Sequence, residues 1–220
     1  MRFRPIVSRL PTLLAENPTF RRFWLALLVS STGDRFGSIA MNLYVLKLTG
    51  SGGALAGMLA IQSLPSLFIA PLAGVWIDRL SRRRVLLAGN FASALIYALL
   101  PFTQELWHLY TLALLARCAA TFLLPAQRAL VPDLVEARQV VQANATISAG
   151  QQVILLVGAS LAGLLVGFAG AGAAFAFNAV TYLAANGLLL GIRGELPRTT
   201  ANSRSVGQFL RELRDGFAFS

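Results

Sequence analysis

Between Phe23 and Ile192 the sequence returns repeatedly to stretches of about twenty residues with almost no charge. A helix needs that length to cross a hydrocarbon core about 30 Å thick. Six such stretches follow one another, at 23–46, 54–77, 85–102, 106–125, 145–168 and 171–192. Of the 220 residues 56% are hydrophobic and 13% charged. A soluble domain needs about 25% charged residues to cover its surface, so lipid must be the solvent for most of this chain. The pattern predicts an all-α membrane protein, a six-transmembrane-helix bundle over 23–192. Residues 1–22 then form a cytoplasmic N-terminal segment, and 193–220 a cytoplasmic linker with the start of an amphipathic helix at Phe209 to Phe217.

A net charge of +10 raises the question of a nucleic-acid partner. The placement of the charge excludes one, because the arginines cluster between apolar runs and form no stripe. Arg21 and Arg22, then Arg79, Arg82, Arg83 and Arg84, then Arg128 and Arg138, then Arg193 and Arg198 fall on one side of the bundle. Lys47, the single lysine, falls on the other. Basic residues in short loops stay inside, so both termini are expected in the cytoplasm, with the chain multi-pass in the cell (inner) membrane. Trp24, Trp76 and Trp107 sit where spans meet headgroups, as indoles prefer. His108 beside Trp107 reads as an interfacial histidine or a proton relay. Cys118 is the only cysteine, so no intrachain disulfide and no thiolate metal site can form, and no cofactor is expected. The basic N-terminus lacks a compact apolar core with a small-residue cleavage site, which marks the first span as uncleaved.

Charge inside the spans is the informative exception. Asp34 lies about eleven residues beyond Phe23, about 16 Å into the bilayer, and Arg117 reaches a similar depth in a span running the other way. Either group costs about 2.5–3.5 kcal/mol at a span centre, so each must face the bundle interior, a cavity or the other. Adjacent helical residues point about 100° apart, so Asp34 and Arg35 cannot share one cavity. Asp34 is expected to face the cavity and to pair with or lie near Arg117, with Arg35 packed on a neighbouring helix. A fixed ion pair that only orients helices is the alternative to a proton-coupling role. Gln62, Tyr97 and Asn178 either line a polar cavity or make interhelical hydrogen bonds. Gly158, Ala162 and Gly163 form a small-residue face for close helix packing. Three short outer turns are read, at Thr49 to Gly53, Thr103 to Glu105 and Gly167 to Gly172. A longer polar loop is read from Pro132 to Arg138, on the inner side.

Between the second and third spans the chain reads Gly74-Val75-Trp76-Ile77-Asp78-Arg79-Leu80-Ser81-Arg82-Arg83-Arg84. This resembles the signature loop of the major facilitator superfamily, Gly-x-x-x-Asp-Arg-x-Gly-Arg-Arg, with Ser81 in place of the second glycine. Asn17-Pro18-Thr19-Phe20-Arg21, Gly33-Asp34, Leu48-Thr49-Gly50-Ser51, Pro125 to Leu134 and Ala143-Asn144-Ala145 are similar to the macrolide-efflux and enterobactin-exporter branch. The resemblance implies the N-terminal half of such a transporter, built from two inverted three-helix repeats with a substrate site near the midplane. It implies a conformational switch at Gly74, Asp78, Arg79, Arg82 and Arg83, whose charges meet the other half. It also places Arg117 where the family has an arginine linked to proton coupling. The fifth-helix antiporter motif appears as Gly158-Ala159-Ser160-Leu161-Ala162-Gly163 without its proline, which leaves antiport open.

The expected function is proton-coupled efflux of an amphipathic drug, a macrolide or a siderophore-like molecule, with protons and the lipid bilayer as the other partners. Because the family works with two six-helix halves, the chain is expected to be a truncated product that needs a missing C-terminal half or a second subunit. A half-transporter and a non-transporting membrane scaffold are the alternatives. No nucleophile, metal-ligand or phosphate-loop constellation marks an enzyme. With Cys118 replaced by Ser, a cysteine at Ser51 should react with an impermeant maleimide on intact cells, and one at Arg84 only after permeabilisation. The reverse pattern would invert the topology.

Overall fold

Asn17 and Pro18 together are a helix-start signal. The structure, a computed structural model, describes residues 10–69 and 80–192. After a short helix α1 (Leu10–Glu16), Asn17 adopts extended backbone, and its Oδ1 accepts the Phe20 amide at 2.8 Å. Pro18 follows in the first turn, where a missing N–H costs nothing. Helix α2 (Pro18–Thr49) therefore starts five residues before the apolar run that predicted it. It ends at Gly50, whose φ of 61° is the left-handed cap that glycine adopts without strain. Ser51 then accepts the Ala54 amide and opens α3 (Gly52–Phe68). The outer turn read as five residues is thus two, Gly50 and Ser51.

Helix α4 (Arg82–Leu99) passes into a 3-10 turn, Leu100–Phe102, around Pro101. Helix α5 (Leu106–Leu134) continues through Pro125 and Pro132. Pro132 to Leu134, read from the sequence as part of a polar loop, are its last residues. Two interactions hold that end: Asn17 Nδ2 donates to the Leu134 carbonyl at 2.7 Å, and Arg82 pairs with Asp133. Glu136 and Gln139 cap the 3-10 turn Ala137–Gln139 reciprocally.

The last helical stretch, Val140–Leu190, is two helices, α6 (140–169) and α7 (171–190), which meet at Gly170. Its φ of 80° and ψ of 168° belong to glycine alone. The contacts of α2 show what the corner does. Trp24, Leu28 and Arg35 meet Thr146, Gly150 and Gly158, so α2 and α6 are parallel. Arg22, Asp34 and Tyr44 meet Gly191, Tyr182 and Phe175, so α2 and α7 are antiparallel. One residue therefore reverses the chain. By the same test α4 runs with α2 (Gly37 at Tyr97, Tyr44 at Thr103), and α5 runs against α4 (Arg82 at Asp133, Gly89 at Leu123). Helix α3 runs with α5, since Ala54 meets Tyr110 and Gln62 meets Arg117.

No strand occurs among the described residues. The stretches Arg82–Phe102, Leu106–Leu134 and Ala137–Leu190 are long and apolar enough to cross a membrane, and Gly52–Phe68 is a shorter apolar helix. Phe20, Phe23, Phe175 and Tyr182 fill the interior, while Phe102, Leu156 and Phe168 point outward. Large apolar side chains on the outside are what lipid solvates and water does not. Residues 1–9, 70–79 and 193–220 lie outside the described residues. These include Gly74, Asp78 and Arg79 of the signature loop and the amphipathic stretch at Phe209 to Phe217.

The tightest packing is at Gly33 and Gly37, one helical turn apart on α2. A Cβ on Gly33 would collide with the Asn178 and Thr181 side chains, and one on Gly37 would lie 2.5 Å from both Asn178 Nδ2 and the Tyr97 ring. At Gly163 a Cβ meets open space. Gly33→Ala should therefore destabilise the protein by about 1–3 kcal/mol through overpacking. Gly163→Ala should be neutral or stabilising by up to about 1 kcal/mol. Thermal unfolding in detergent separates the two, and equal shifts would contradict this packing.

Candidate functional site

The close approach permitted by Gly33 and Gly37 brings polar groups of three helices together. Asp34 of α2 accepts a hydrogen bond from the Tyr182 hydroxyl of α7, with Oη 2.5 Å from Oδ1. Tyr182 lies 6.1 Å, ring centroid to centroid, from Tyr97 of α4, and Tyr97 lies 6.5 Å from Phe175. Asn90 and Ser93 of α4 and Asn178 and Thr181 of α7 are buried on the same two helices as Tyr97 and Tyr182. Thr181 donates to the Asn178 carbonyl at 2.7 Å. Among the described residues Ser93 Oγ and Asn178 Nδ2 are buried without a close hydrogen-bond partner, although Ser93 faces Tyr182 and Asn178 faces Asp34 and Tyr97. Polar atoms deep in a helix bundle are costly unless paired, so this concentration is where the described interior departs from simple apolar packing.

Asp34 and Arg117 form no direct ion pair. The acid takes its hydrogen bond from Tyr182, and Arg117 and Arg35 act on it as charged neighbours. Arg117 donates from Nε to the Gln62 backbone carbonyl at 3.3 Å, and Gln62 Nε2 donates to Asn42 Oδ1 at 3.4 Å. Gln62 thus joins α2, α3 and α5. Asp34, Arg35 and Arg117 are all exposed, so this edge of the cluster is open. Tyr182 escaped the sequence reading because tyrosine passes as apolar in a hydrophobic run. Its spacing from Asn178, four residues and so one turn along α7, was the available signal.

The other candidates sort by position. Gly158 and Ala162 face inward, and a Cβ on Gly158 would lie 3.4 Å from Arg35 Cβ, so the Arg35 stem crosses α6 there. Gly163 does not share that contact. Of the expected switch residues, Arg82 and Arg83 are described, and both take partners within this chain. Arg82 binds Asp133 at 2.7 Å and the Ala129 carbonyl at 2.8 Å. Arg83 donates to the carbonyls of Leu189 and Leu190, and Arg22 to that of Gly191. Two cations therefore satisfy the carbonyl end of α7, where the helix dipole favours positive charge. His108 stacks on Trp107, ring centroids 3.6 Å apart. Among the described residues no three His, Cys, Asp or Glu side chains are grouped to hold a metal.

A family model described as transmembrane secretion effector matches residues 12–220. The chain belongs to this family of major facilitator superfamily transporters. Among curated relatives, macrolide efflux protein A of Streptococcus pyogenes is 23% identical over 205 residues, covering 90% of this chain and 50% of that protein. The uncharacterized MFS-type transporter YvqJ of Bacillus subtilis is 24% identical over 207 residues, covering 90% and 49%. The putative bacilysin exporter BacE of Bacillus amyloliquefaciens is 30% identical over 161 residues, covering 71% and 40%. The chain spans about half the length of the curated relatives it matches. Family membership and the apolar helices make it a multi-pass membrane protein.

Two ion pairs among the described residues differ sharply in burial. The side chains of Arg82 and Asp133 are 18% and 9% exposed, those of Arg138 and Glu136 80% and 63%. Arg82→Gln should destabilise the protein by about 1–3 kcal/mol, because it strips a charge-assisted partner from a half-buried carboxylate. Arg138→Gln should cost less than about 1 kcal/mol. A larger loss at Arg138 in detergent unfolding would overturn this ranking.

Proposed function

We propose that this chain forms the N-terminal, six-crossing half of a secondary exporter and that the open edge of the Asp34 cluster lines its transport cavity. Helices α2 to α7 are the six crossings, with the α2 N-terminus and the α7 C-terminus on the cytoplasmic side. The observation that carries the reading is Asp34 itself. It is an exposed carboxylate on a helix flanked by apolar neighbours, held by one tyrosine and faced by two arginines. A group that only oriented helices would be enclosed in its ion pair. This one is left accessible, as a carboxylate that exchanges a proton with a water-filled cavity must be.

On this reading Asp34 takes up and releases the coupling proton. Tyr182 holds the carboxylate in place, and Arg117, anchored to Gln62, is the competing positive charge that a substrate displaces. Gly74, Asp78 and Arg79, with Arg82 and Arg83, form the cytoplasmic switch against the second half of the transporter. A macrolide efflux protein and a putative bacilysin exporter among the relatives, together with the sequence resemblance to the enterobactin-exporter branch, favour an amphipathic drug, macrolide or siderophore-like substrate moved outward against proton entry.

The experiment is proton-driven uptake of macrolides and amphipathic dyes into everted membrane vesicles containing the chain with its second half. Asp34→Asn should abolish uptake driven by the pH gradient while substrate binding persists. Tyr182→Phe should reduce uptake and shift its pH profile. Unchanged gradient-driven uptake in Asp34→Asn would remove Asp34 from the coupling role.

A further inference from the structure

A second group of polar side chains meets away from Asp34. Gln127 and Arg128 of α5 and Asn144, Ser148 and Gln151 of α6 line a cavity of about 100 Å³ against Leu27 of α2. None of these five has a hydrogen-bond or ion-pair partner among the described residues. Arg22, Arg82, Arg83, Arg117 and Arg138 have acceptors, whereas Arg128, like Arg21, Arg35 and Arg84, has none among the described residues; of these four, Arg128 is the one that lines the cavity. The two acidic side chains between Arg128 and the start of α6, Asp133 and Glu136, each sit against a different arginine. Among the described residues Arg128 therefore brings a charge without an acidic partner, with five N–H donors, to a cavity otherwise walled by amides, a hydroxyl and aliphatic carbons.

Its position relative to Asp34 follows from helix geometry. Arg117 and Arg128 are eleven residues apart, close to three full turns, so they share a face of α5 about 16 Å apart along its axis. Both are exposed. The cavity thus opens on the same side as the Asp34 cluster and toward the cytoplasmic end of the bundle. A guanidinium matches carboxylate or phosphate oxygens two at a time, which a cation or a neutral group cannot exploit. The amides and hydroxyl supply further donors for the same oxygens, and Leu27, Leu124 and Ile147 offer carbon to an alkyl or ring portion.

We propose that this cavity is a second ligand subsite, which binds the carboxylate or phosphate head of an amphiphile at the cytoplasmic mouth. It rests on the reading of this face as the substrate path, and it narrows the substrate class to amphiphiles with an acidic head. The purified full chain in detergent is titrated with a dansyl-labelled undecanoic acid and with its carboxamide, following dansyl fluorescence. The acid should bind at least about tenfold more tightly than the amide. Arg128→Gln should erase that preference, and Arg138→Gln, which removes a paired surface arginine, should leave it. Equal affinity for acid and amide in the unmodified chain would overturn the proposal without recourse to any variant, as would an acid preference that survives Arg128→Gln. Repeating the titration in phosphatidylcholine nanodiscs, with and without phosphatidylglycerol, distinguishes the sources. Competition by phosphatidylglycerol assigns the head group to a membrane lipid, and its absence assigns it to a solute, the subsite standing in both cases. Because binding needs neither a proton gradient nor transport, this result is independent of the outcome at Asp34.

Discussion

Helix α2 carries an aspartate and an arginine at adjacent positions, and the packing of its neighbours is arranged around that pair. In an apolar bundle each such charge needs a neighbouring helix or an open cavity. Gly33 and Gly37 remove the side chains that would hold α7 away, and Tyr182 then reaches Asp34. Gly158 does the same on α6, where the Arg35 stem crosses. The two adjacent charges are thus drawn to two different helices, and α2 becomes the centre to which α6 and α7 are both fitted. The aromatic column of Tyr44, Phe175, Tyr97 and Tyr182 packs behind that contact.

The ends of the helices are held by a different economy. In the interior, hydrogen bonds run mostly from side chains to backbone carbonyls, as with Tyr110 to Ala54 and Asn186 to Leu87. At the α5 and α7 C-termini arginine carries the load, with Arg82 on α5 and Arg83 and Arg22 on α7. Asn17 caps two helices at once, the start of α2 through its oxygen and the end of α5 through its nitrogen. Arginines from the clusters between the apolar runs therefore cap helices of the bundle.

Much of this was legible in the sequence because lipid imposes a simple rule on composition. The apolar runs gave the helices, the turn glycines gave their order, and the depth argument put Asp34 and Arg117 near one another. What escaped depends on pairing in space. The direct Asp34–Arg117 ion pair does not form, because Tyr182 from the far end of the chain reaches the carboxylate. No periodicity within α2 or α5 could reveal that partner. The end of α5 was misplaced because proline ordinarily marks a boundary. Here Pro125 and Pro132 lie within a helix whose last turn is held by Asn17 and Arg82, residues distant in sequence. The start of α2 was missed for a milder reason. Arg21 and Arg22 broke the apolar run, although the Asn17-Pro18 cap stood just before them.

The corner at Gly170 has a consequence for how such a chain can vary. Most helix connections tolerate an added residue, since a loop absorbs the change at small entropic cost. A reversal made by a single residue has no slack to absorb anything. One residue inserted on its α7 side would rotate that helix by about 100°, turning Tyr182 away from Asp34 and Asn178 away from Gly37. The membrane surface nearest this corner is therefore a fixed edge of the molecule. Length variation among relatives is expected at the opposite surface, where Arg128, Arg138 and the connection between α5 and α6 lie.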